Sequence, residues 1–168
     1  LTFWGTGDPT FMHSMFAQSG TLEFMKSKAA TKKIYQSYAH SSIDPYGQGW
    51  MWDDYNDYYQ AELTSFPMFG NILYVRKDSS GTLMVPRSIS ENTVKSTETG
   101  KIIRDKSSNF FTVPTKLDSV SYFEQEVPYR DAEIVNHDLL ESVLGKKIQV
   151  VNTPIPVGNQ TVHSIPVD

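Results

Sequence analysis

The sequence contains no cysteine, and this absence excludes several kinds of protein at once. Without thiols there is no disulfide scaffold, no Cys-ligated zinc or iron–sulfur site and no thiol nucleophile. A chain of 168 residues buries roughly 70% of the surface that its unfolded form exposes, so it needs neither a disulfide nor a metal to stay folded. The length corresponds to one ordinary domain, or to two small ones that share a core.

Charged residues and long apolar runs are also scarce. Asp, Glu, Lys and Arg make up 20% of the chain, and 15 basic against 19 acidic residues give a net charge of −4. Because no block of basic residues is present, we expect no nucleic-acid partner. No apolar run approaches the ~20 residues of a membrane-spanning helix, so we predict no membrane span in this segment.

Catalytic motifs are missing as well. The chain has no Gly-x-Ser-x-Gly, no Ser-x-x-Lys and no Lys-Thr-Gly, so the complete apparatus of an active-serine enzyme is absent. Ser-x-Asn occurs at Ser90-Glu91-Asn92 and Ser107-Ser108-Asn109, which we interpret as chance matches. The histidines lack the spacing that puts two metal ligands on one helix face. They are His13, His40, His137 and His163. We therefore predict no catalytic residue, metal site or cofactor in this chain.

Aromatic residues are the main excess, with nine Tyr, nine Phe and three Trp. Six of them fall within 41–60, which we predict to be a long ordered loop, because it is rich in turn formers and has no regular period. The candidate ligand-binding residues of this loop are Trp50, Trp52, Asp53, Asp54, Tyr55, Tyr58 and Tyr59.

Three interpretations of this loop remain open. Its carboxylates could serve a glycosidase, with the Trp rings stacking on sugars; those carboxylates are Asp53, Asp54, Asp57 and Glu62. The same rings could bind a glycan or a protein without chemistry. The third interpretation, which we favour, is structural: the rings of Trp50, Trp52, Tyr55 and Tyr59 seal the loop onto a sheet. A binding platform must expose at least one Trp face, whereas a seal hides both.

Local patterns predict an alternation of helices and strands. We expect a strand at Leu1–Trp4, a turn, and two short helices between Phe11 and Met25, the second capped by Thr21. A half-buried strand is predicted at Lys32–Tyr38, and a hairpin joins Ile72–Lys77 to Thr82–Pro86 across Asp78-Ser79-Ser80-Gly81. Weaker strands are predicted at 93–96, 101–104, 109–113 and 122–129.

The strongest helix pattern runs from Asp131 to Leu144 and stops at Gly145, with a strand at 146–151 after it. Its predicted apolar face is Ile134, Val135, Leu139, Leu140, Val143 and Leu144. Two α–β units thus flank a β-rich insertion. The predicted fold is α+β: a mixed sheet with helices on one face, from 1–65 and 119–168, and a small nested β-rich lobe from 66–118.

Four motifs follow one another along the chain. They are Gly5-Thr6-Gly7-Asp8-Pro9-Thr10, Gly49-Trp50-Met51-Trp52-Asp53-Asp54, Tyr59-Gln60-Ala61-Glu62-Leu63-Thr64-Ser65-Phe66-Pro67 with Gly70-Asn71, and Glu126-Val127-Pro128. In this order they resemble the class C low-molecular-mass penicillin-binding proteins, the serine D-alanyl-D-alanine carboxypeptidase/endopeptidases, and especially their Bacteroidetes-type members. The resemblance runs through nearly all of the chain and maps to the domains that interrupt the penicillin-binding domain of that family.

The resemblance implies a function for a parent protein rather than for this chain alone. The parent would cleave D-Ala-D-Ala bonds and cross-links of peptidoglycan in the periplasm or cell envelope, through an acyl-enzyme on serine. Since the chain opens inside a strand pattern at Leu1, we expect an internal, non-catalytic segment. Its implied partners are the catalytic domain of the same parent chain and peptidoglycan or a muropeptide. The alternative is a glycan- or protein-binding module that uses the loop Trp50–Tyr59.

Overall fold

Three α-helices and nine strands form in the computed structural model, which describes residues 1–16 and 20–158. The helices are α1 (Thr21–Thr31), α2 (Arg87–Ser90) and α3 (Ala132–Leu144). The strands are β1 (Thr2–Trp4), β2 (Ile34–Ser37), β3 (Ile72–Asp78), β4 (Gly81–Val85), β5 (Thr93–Ser96), β6 (Ile103–Arg104), β7 (Phe111–Pro114), β8 (Phe123–Pro128) and β9 (Ile148–Val151). The predicted α+β class is confirmed.

The two α–β units share a three-stranded sheet in the order β1-β2-β9. Both strand pairs are parallel, and Ile34 of β2 lies opposite Ile148 of β9. The helices that precede β2 and β9, α1 and α3, contact each other. Because β2 lies between two neighbours, its Gln36 and Ser37 are buried along with Ile34, although the sequence pattern predicted a strand buried on one face only.

The remaining strands form two further sheets of three strands each. The predicted hairpin is present as β3 and β4, and β8 pairs antiparallel with the other edge of β3. In the third sheet β7 pairs parallel with β5 and antiparallel with β6, so strand directions are mixed there. The pairing of β8 with β3 links the segments 119–168 and 66–118, whose division into an outer unit and a nested lobe stays a prediction.

One cluster of buried apolar side chains connects the three sheets. It includes Ile34 from the parallel sheet, Leu73 from β3 and Phe111 from β7, each at most 1% exposed. Burying a side chain of this size contributes roughly 1.5–3 kcal/mol. The sheets are therefore joined by a common core rather than by linkers alone.

Helix α3 has the predicted ends and most of the predicted buried face: Leu139 and Leu140 are buried, and Val135 and Leu144 pack against the core. Gly145 adopts the left-handed conformation that ends the helix. Ile134, expected to be buried, is 68% exposed, whereas the polar Asn136 is buried. Its amide donates hydrogen bonds to Asn71 Oδ1 at 2.8 Å and to the Phe66 carbonyl at 2.9 Å. The prediction is therefore wrong for Ile134, and it missed Asn136, which is buried through polar contacts with a distant segment.

The segment between β1 and α1 also differs from its prediction. Residues 11–16 form turns where a first short helix was predicted. The second helix is present as α1, but Gly20 is its N-cap and Thr21 its first residue. Upstream, Asp8 Oδ1 accepts hydrogen bonds from the amide and hydroxyl of Thr10 at 2.9 and 2.7 Å. The Asp8 carboxylate thus holds Thr10 in a local turn, a role that Asp side chains commonly have.

Candidate functional site

The aromatic segment 41–60 is an ordered irregular loop, as predicted. It contains two single turns of 3₁₀-helix, Trp52–Asp54 and Tyr58–Gln60. Its ends are brought together by a hydrogen bond from the Leu63 amide to the Pro45 carbonyl at 2.9 Å. This hydrogen bond therefore closes the loop on itself.

Asn56 fastens the middle of this loop to the rest of the fold. Its side-chain amide donates to the Ile102 carbonyl at 3.0 Å, and its Oδ1 accepts from the Arg104 amide at 2.7 Å. Asn56 is buried, so these bonds are shielded from competing water. They place Tyr55 and the neighbouring Trp52 beside β6.

A second attachment joins the end of the loop to the start of α3. The buried carboxylate of Glu62 accepts the Ala132 amide at 2.8 Å through one oxygen and the Tyr46 hydroxyl at 2.7 Å through the other. The helix N-cap, Asp131, is left-handed and makes no side-chain cap bond. Glu62 thus supplies the capping acceptor from a distant segment. Burial and the hydrogen bond to Glu62 raise the pKa of the Tyr46 hydroxyl to about 12.

These attachments leave a cleft of about 380 Å³ between the loop and the segments around 104–106 and 130. This volume lies in the range of small-molecule binding sites. Both aromatic rings and cationic side chains line the cleft. The lining residues are Tyr46, Trp50, Met51, Trp52, Tyr55, Gln60, Arg104, Lys106 and Arg130.

Of the sequence-predicted candidates, Trp50, Trp52 and Tyr55 line this cleft. Trp52 is 74% exposed, and the Lys106 ammonium lies 3.9 Å from the centre of its ring. Trp50 is half-buried and packs edge-to-face against Tyr46, with 6.3 Å between ring centroids. Trp52 and Tyr55, which Asn56 holds beside β6, therefore meet Trp50 in the cleft.

The other predicted residues lie outside the cleft. Tyr58 and Tyr59 form an exposed edge-to-face pair with 5.6 Å between ring centroids. Asp53 and Asp54 belong to the first 3₁₀ turn and do not line the cleft. The interpretation that the rings seal the loop is wrong for Trp52 and for Tyr59, which is 52% exposed.

Three cationic residues of the cleft escaped the sequence analysis: Arg104, Lys106 and Arg130. Arg104 is only 5% exposed. Its guanidinium donates to four backbone carbonyls, those of Tyr55, Asp105, Ser108 and Pro128. Burial lowers the pKa of Arg104 below its usual value, and the positive charge of Arg130 lowers it further. In the sequence, the position of Arg104 directly after the apolar Ile102 and Ile103 is the local signal that could have indicated a buried cation.

The cleft lacks the carboxyl pair that glycoside hydrolysis requires. Within the described part of the chain, no Asp or Glu is among its lining residues. Both oxygens of Glu62 hold structural hydrogen bonds, and Asp57 lies in a separate, shallower groove with Glu124 and Glu126. The glycosidase interpretation therefore has no support from this cleft.

The histidines and the serine matches have structural contacts. His137 Nδ1 is 2.8 Å from Gln36 Oε1, and His40 Nε2 accepts the Ile155 amide at 3.2 Å; His163 lies outside the described residues. Ser90 and Ser107 make hydrogen bonds within their own turns. Across residues 1–16 and 20–158, no three acidic or histidine side chains are grouped to hold a metal ion. No helix in these ranges combines the length and apolar character needed to cross a bilayer.

Comparison with known proteins identifies a similar fold but no sequence relative. No protein-family profile matches this chain, and no curated protein matches its sequence. The structure is similar to the solved structure of penicillin binding protein 4 (dacB) from Haemophilus influenzae, with a TM-score of 0.52 and 14% sequence identity. The match covers 90% of this chain and 39% of that protein. It supports the resemblance to penicillin-binding proteins at the level of the fold.

Proposed function

We propose that this chain is a non-catalytic segment of a serine-type D-Ala-D-Ala carboxypeptidase of the cell envelope, where it binds peptidoglycan or shapes its access to the catalytic serine. The observation that carries the proposal is the fold likeness, which covers 90% of this chain but only 39% of a penicillin-binding protein. The ordered motifs from Gly5 to Pro128 support the same family. The absence of Ser-x-x-Lys and Lys-Thr-Gly from the chain supports a segment without its own catalysis.

The cleft supports a binding role for this segment. Exposed aromatic rings stack on the apolar faces of sugars, and Trp52 presents most of its surface to solvent. The rigid attachment of the loop through Asn56 and Glu62 means that little conformational freedom is lost when a ligand binds. A preformed aromatic cleft is therefore suited to hold part of a cell-wall polymer.

Sedimentation with isolated peptidoglycan tests the proposal on the intact chain. We expect the wild type to sediment with the polymer and Trp52→Ala to bind about five-fold more weakly, the size of one stacking contact. Tyr122→Ala is the matched control, because Tyr122 is 60% exposed and does not line the cleft. Equal binding by both variants, or no sedimentation of the wild type, would contradict the binding role.

Labelled penicillin tests the non-catalytic part of the proposal. Since the chain lacks the motifs that form an acyl-enzyme, we expect no covalent label after incubation and denaturing electrophoresis. An authentic penicillin-binding protein in a parallel reaction confirms that the reagent is active. A labelled band at the position of this chain would show that it carries its own acylation site.

A further inference from the structure

The cleft concentrates positive charge in a chain that is acidic overall. Arg104, Lys106 and Arg130 all line it, whereas the whole sequence has a net charge of −4. No carboxylate is among the described lining residues, but two carboxylates outside the lining offset these charges in part: Asp131 pairs with Arg130, and the negative charge of Glu62 acts on Arg104. Like charges that converge in a concave surface raise the local concentration of anions. The cleft therefore keeps an excess of positive charge that a negatively charged occupant would offset.

Arg104 gives the strongest indication, because its charge is buried without an ionic partner. Buried charges are normally paired, yet no carboxylate forms an ion pair with Arg104 among the residues described. Its four hydrogen bonds go to neutral carbonyls, and a guanidinium has five N–H donors. One N–H group therefore has no carbonyl acceptor among these bonds, on a side chain that the four carbonyls hold in place.

Lys106 and Arg130 add adjustable charge next to this fixed one. The Lys106 ammonium lies over the rings of Trp52 and Tyr55, 3.9 and 5.5 Å from their centroids. Arg130 donates to the Lys106 carbonyl at 3.1 Å and forms an exposed ion pair with Asp131 at 3.0 Å. An anion in the cleft would draw the Lys106 ammonium away from Trp52 and so uncover that ring face for stacking.

We infer that the cleft is a binding site for an anionic sugar: its carboxylate or phosphate is held by Arg104, Lys106 and Arg130, and its ring stacks on Trp52. This inference deepens the proposed function and rests on it for the natural ligand, a sugar of the cell wall that carries a free carboxylate or phosphate. The cleft offers a partner for each part of such a ligand. A neutral sugar must compete with the Lys106 ammonium for the Trp52 face, whereas an anionic sugar recruits that ammonium.

Matched monosaccharides test the inference on the intact chain by Trp fluorescence at neutral pH. The probes are N-acetylmuramic acid, N-acetylglucosamine 6-phosphate and N-acetylglucosamine; the first two carry a negative group and the third does not. We expect at least one anionic sugar to bind about ten-fold more tightly than N-acetylglucosamine, and its affinity to fall as salt is added. The tighter of the two anionic sugars identifies the group as carboxylate or phosphate.

A pair of lysine variants locates the binding. Lys106→Gln should weaken binding of the anionic sugar about three-fold or more, whereas Lys116→Gln, an equally exposed lysine away from the cleft, should leave it unchanged. Both side chains are exposed, so neither variant should impair folding. Equal affinities for charged and neutral sugars, or equal effects of the two variants, would overturn the inference.

The two proposals fail in different ways. If the wild type sediments with peptidoglycan but does not distinguish anionic from neutral sugars, the anion site is refuted and the cell-wall role stands. If it binds anionic sugars through Lys106 but does not sediment with peptidoglycan, the anion site stands and the cell-wall role is refuted.

Discussion

Replacement of Glu62 by alanine should destabilise the protein by about 3 kcal/mol. The substitution leaves the Ala132 amide, at the fully buried start of α3, without the acceptor that now lies 2.8 Å away. A lost hydrogen bond to a charged group costs roughly 1.5–3 kcal/mol. Removal of a negative charge at a helix N-terminus adds up to about 1 kcal/mol. The Tyr46 hydroxyl contributes less, because Tyr46 is 48% exposed and water can replace its partner.

Urea denaturation followed by Trp fluorescence measures this loss. Glu62→Gln keeps the shape and one acceptor oxygen, which can still accept the Ala132 amide, while the charge is lost and an NH2 group faces the Tyr46 hydroxyl; we therefore expect a smaller loss of about 1 kcal/mol. Glu98→Ala is the control, since Glu98 is exposed and its carboxylate has no hydrogen bond or ion pair within the described chain; it should change stability by less than about 0.5 kcal/mol. If Glu62→Ala is as stable as Glu98→Ala, Glu62 does not cap α3 and the argument for a rigidly attached loop fails.

Two further predictions concern packing and pH. A Cβ at Gly5 would lie 2.1 Å from the Ser65 carbonyl oxygen, whereas one at Gly100 meets nothing within 4 Å. Gly5→Ala should therefore lower the free energy of unfolding by about 2 kcal/mol or more, and Gly100→Ala by less than about 0.5 kcal/mol. Equal thermal midpoints for the two variants would refute this contact. The pKa of Glu141 is lowered, chiefly by its hydrogen bond from Lys147. The ionised carboxylate therefore stabilises the fold at pH values above the usual pKa of Glu, and this stabilisation is lost as the pH falls through the lowered pKa. Stability curves against pH should show wild type and Glu141→Gln differing most near neutral pH and converging in acid; a constant difference across that range would contradict the assignment.

Elements with local signals were predictable from the sequence. The turn of the β3–β4 hairpin is determined by Asp78, whose carboxylate accepts the Ser80 amide at 2.8 Å, and by Gly81, which has a positive φ of 126°. Gly145 ends α3 in the same local manner, with a φ of 62°. In each case a few neighbouring residues determine the backbone, so no knowledge of distant contacts is needed.

Contacts between distant segments were not predictable. Asn136 is buried because Phe66 and Asn71, 70 and 65 positions away, accept its hydrogen bonds, and nothing near Asn136 in the sequence indicates them. The residues of the candidate site likewise fall into a group that the sequence indicates and a group that only folding brings together. Its aromatic side, around Trp52, is contiguous in sequence and was identified, whereas Arg104 reaches the cleft only through folding. The positive charge of the site, and hence the kind of ligand proposed for it, could be recognised only from the structure.

The parallel pairing of β2 with β9 also has a consequence for the order of folding. Ile34 and Ile148 lie opposite each other although 114 positions separate them, and closing so long a loop is slow because its entropy is lost before the contact forms. The β3–β4 hairpin closes over only a few residues. We therefore expect the hairpin to form early and the parallel sheet to be completed late, so a chain that is still being synthesised exposes β1 and β2 until α3 and β9 have emerged.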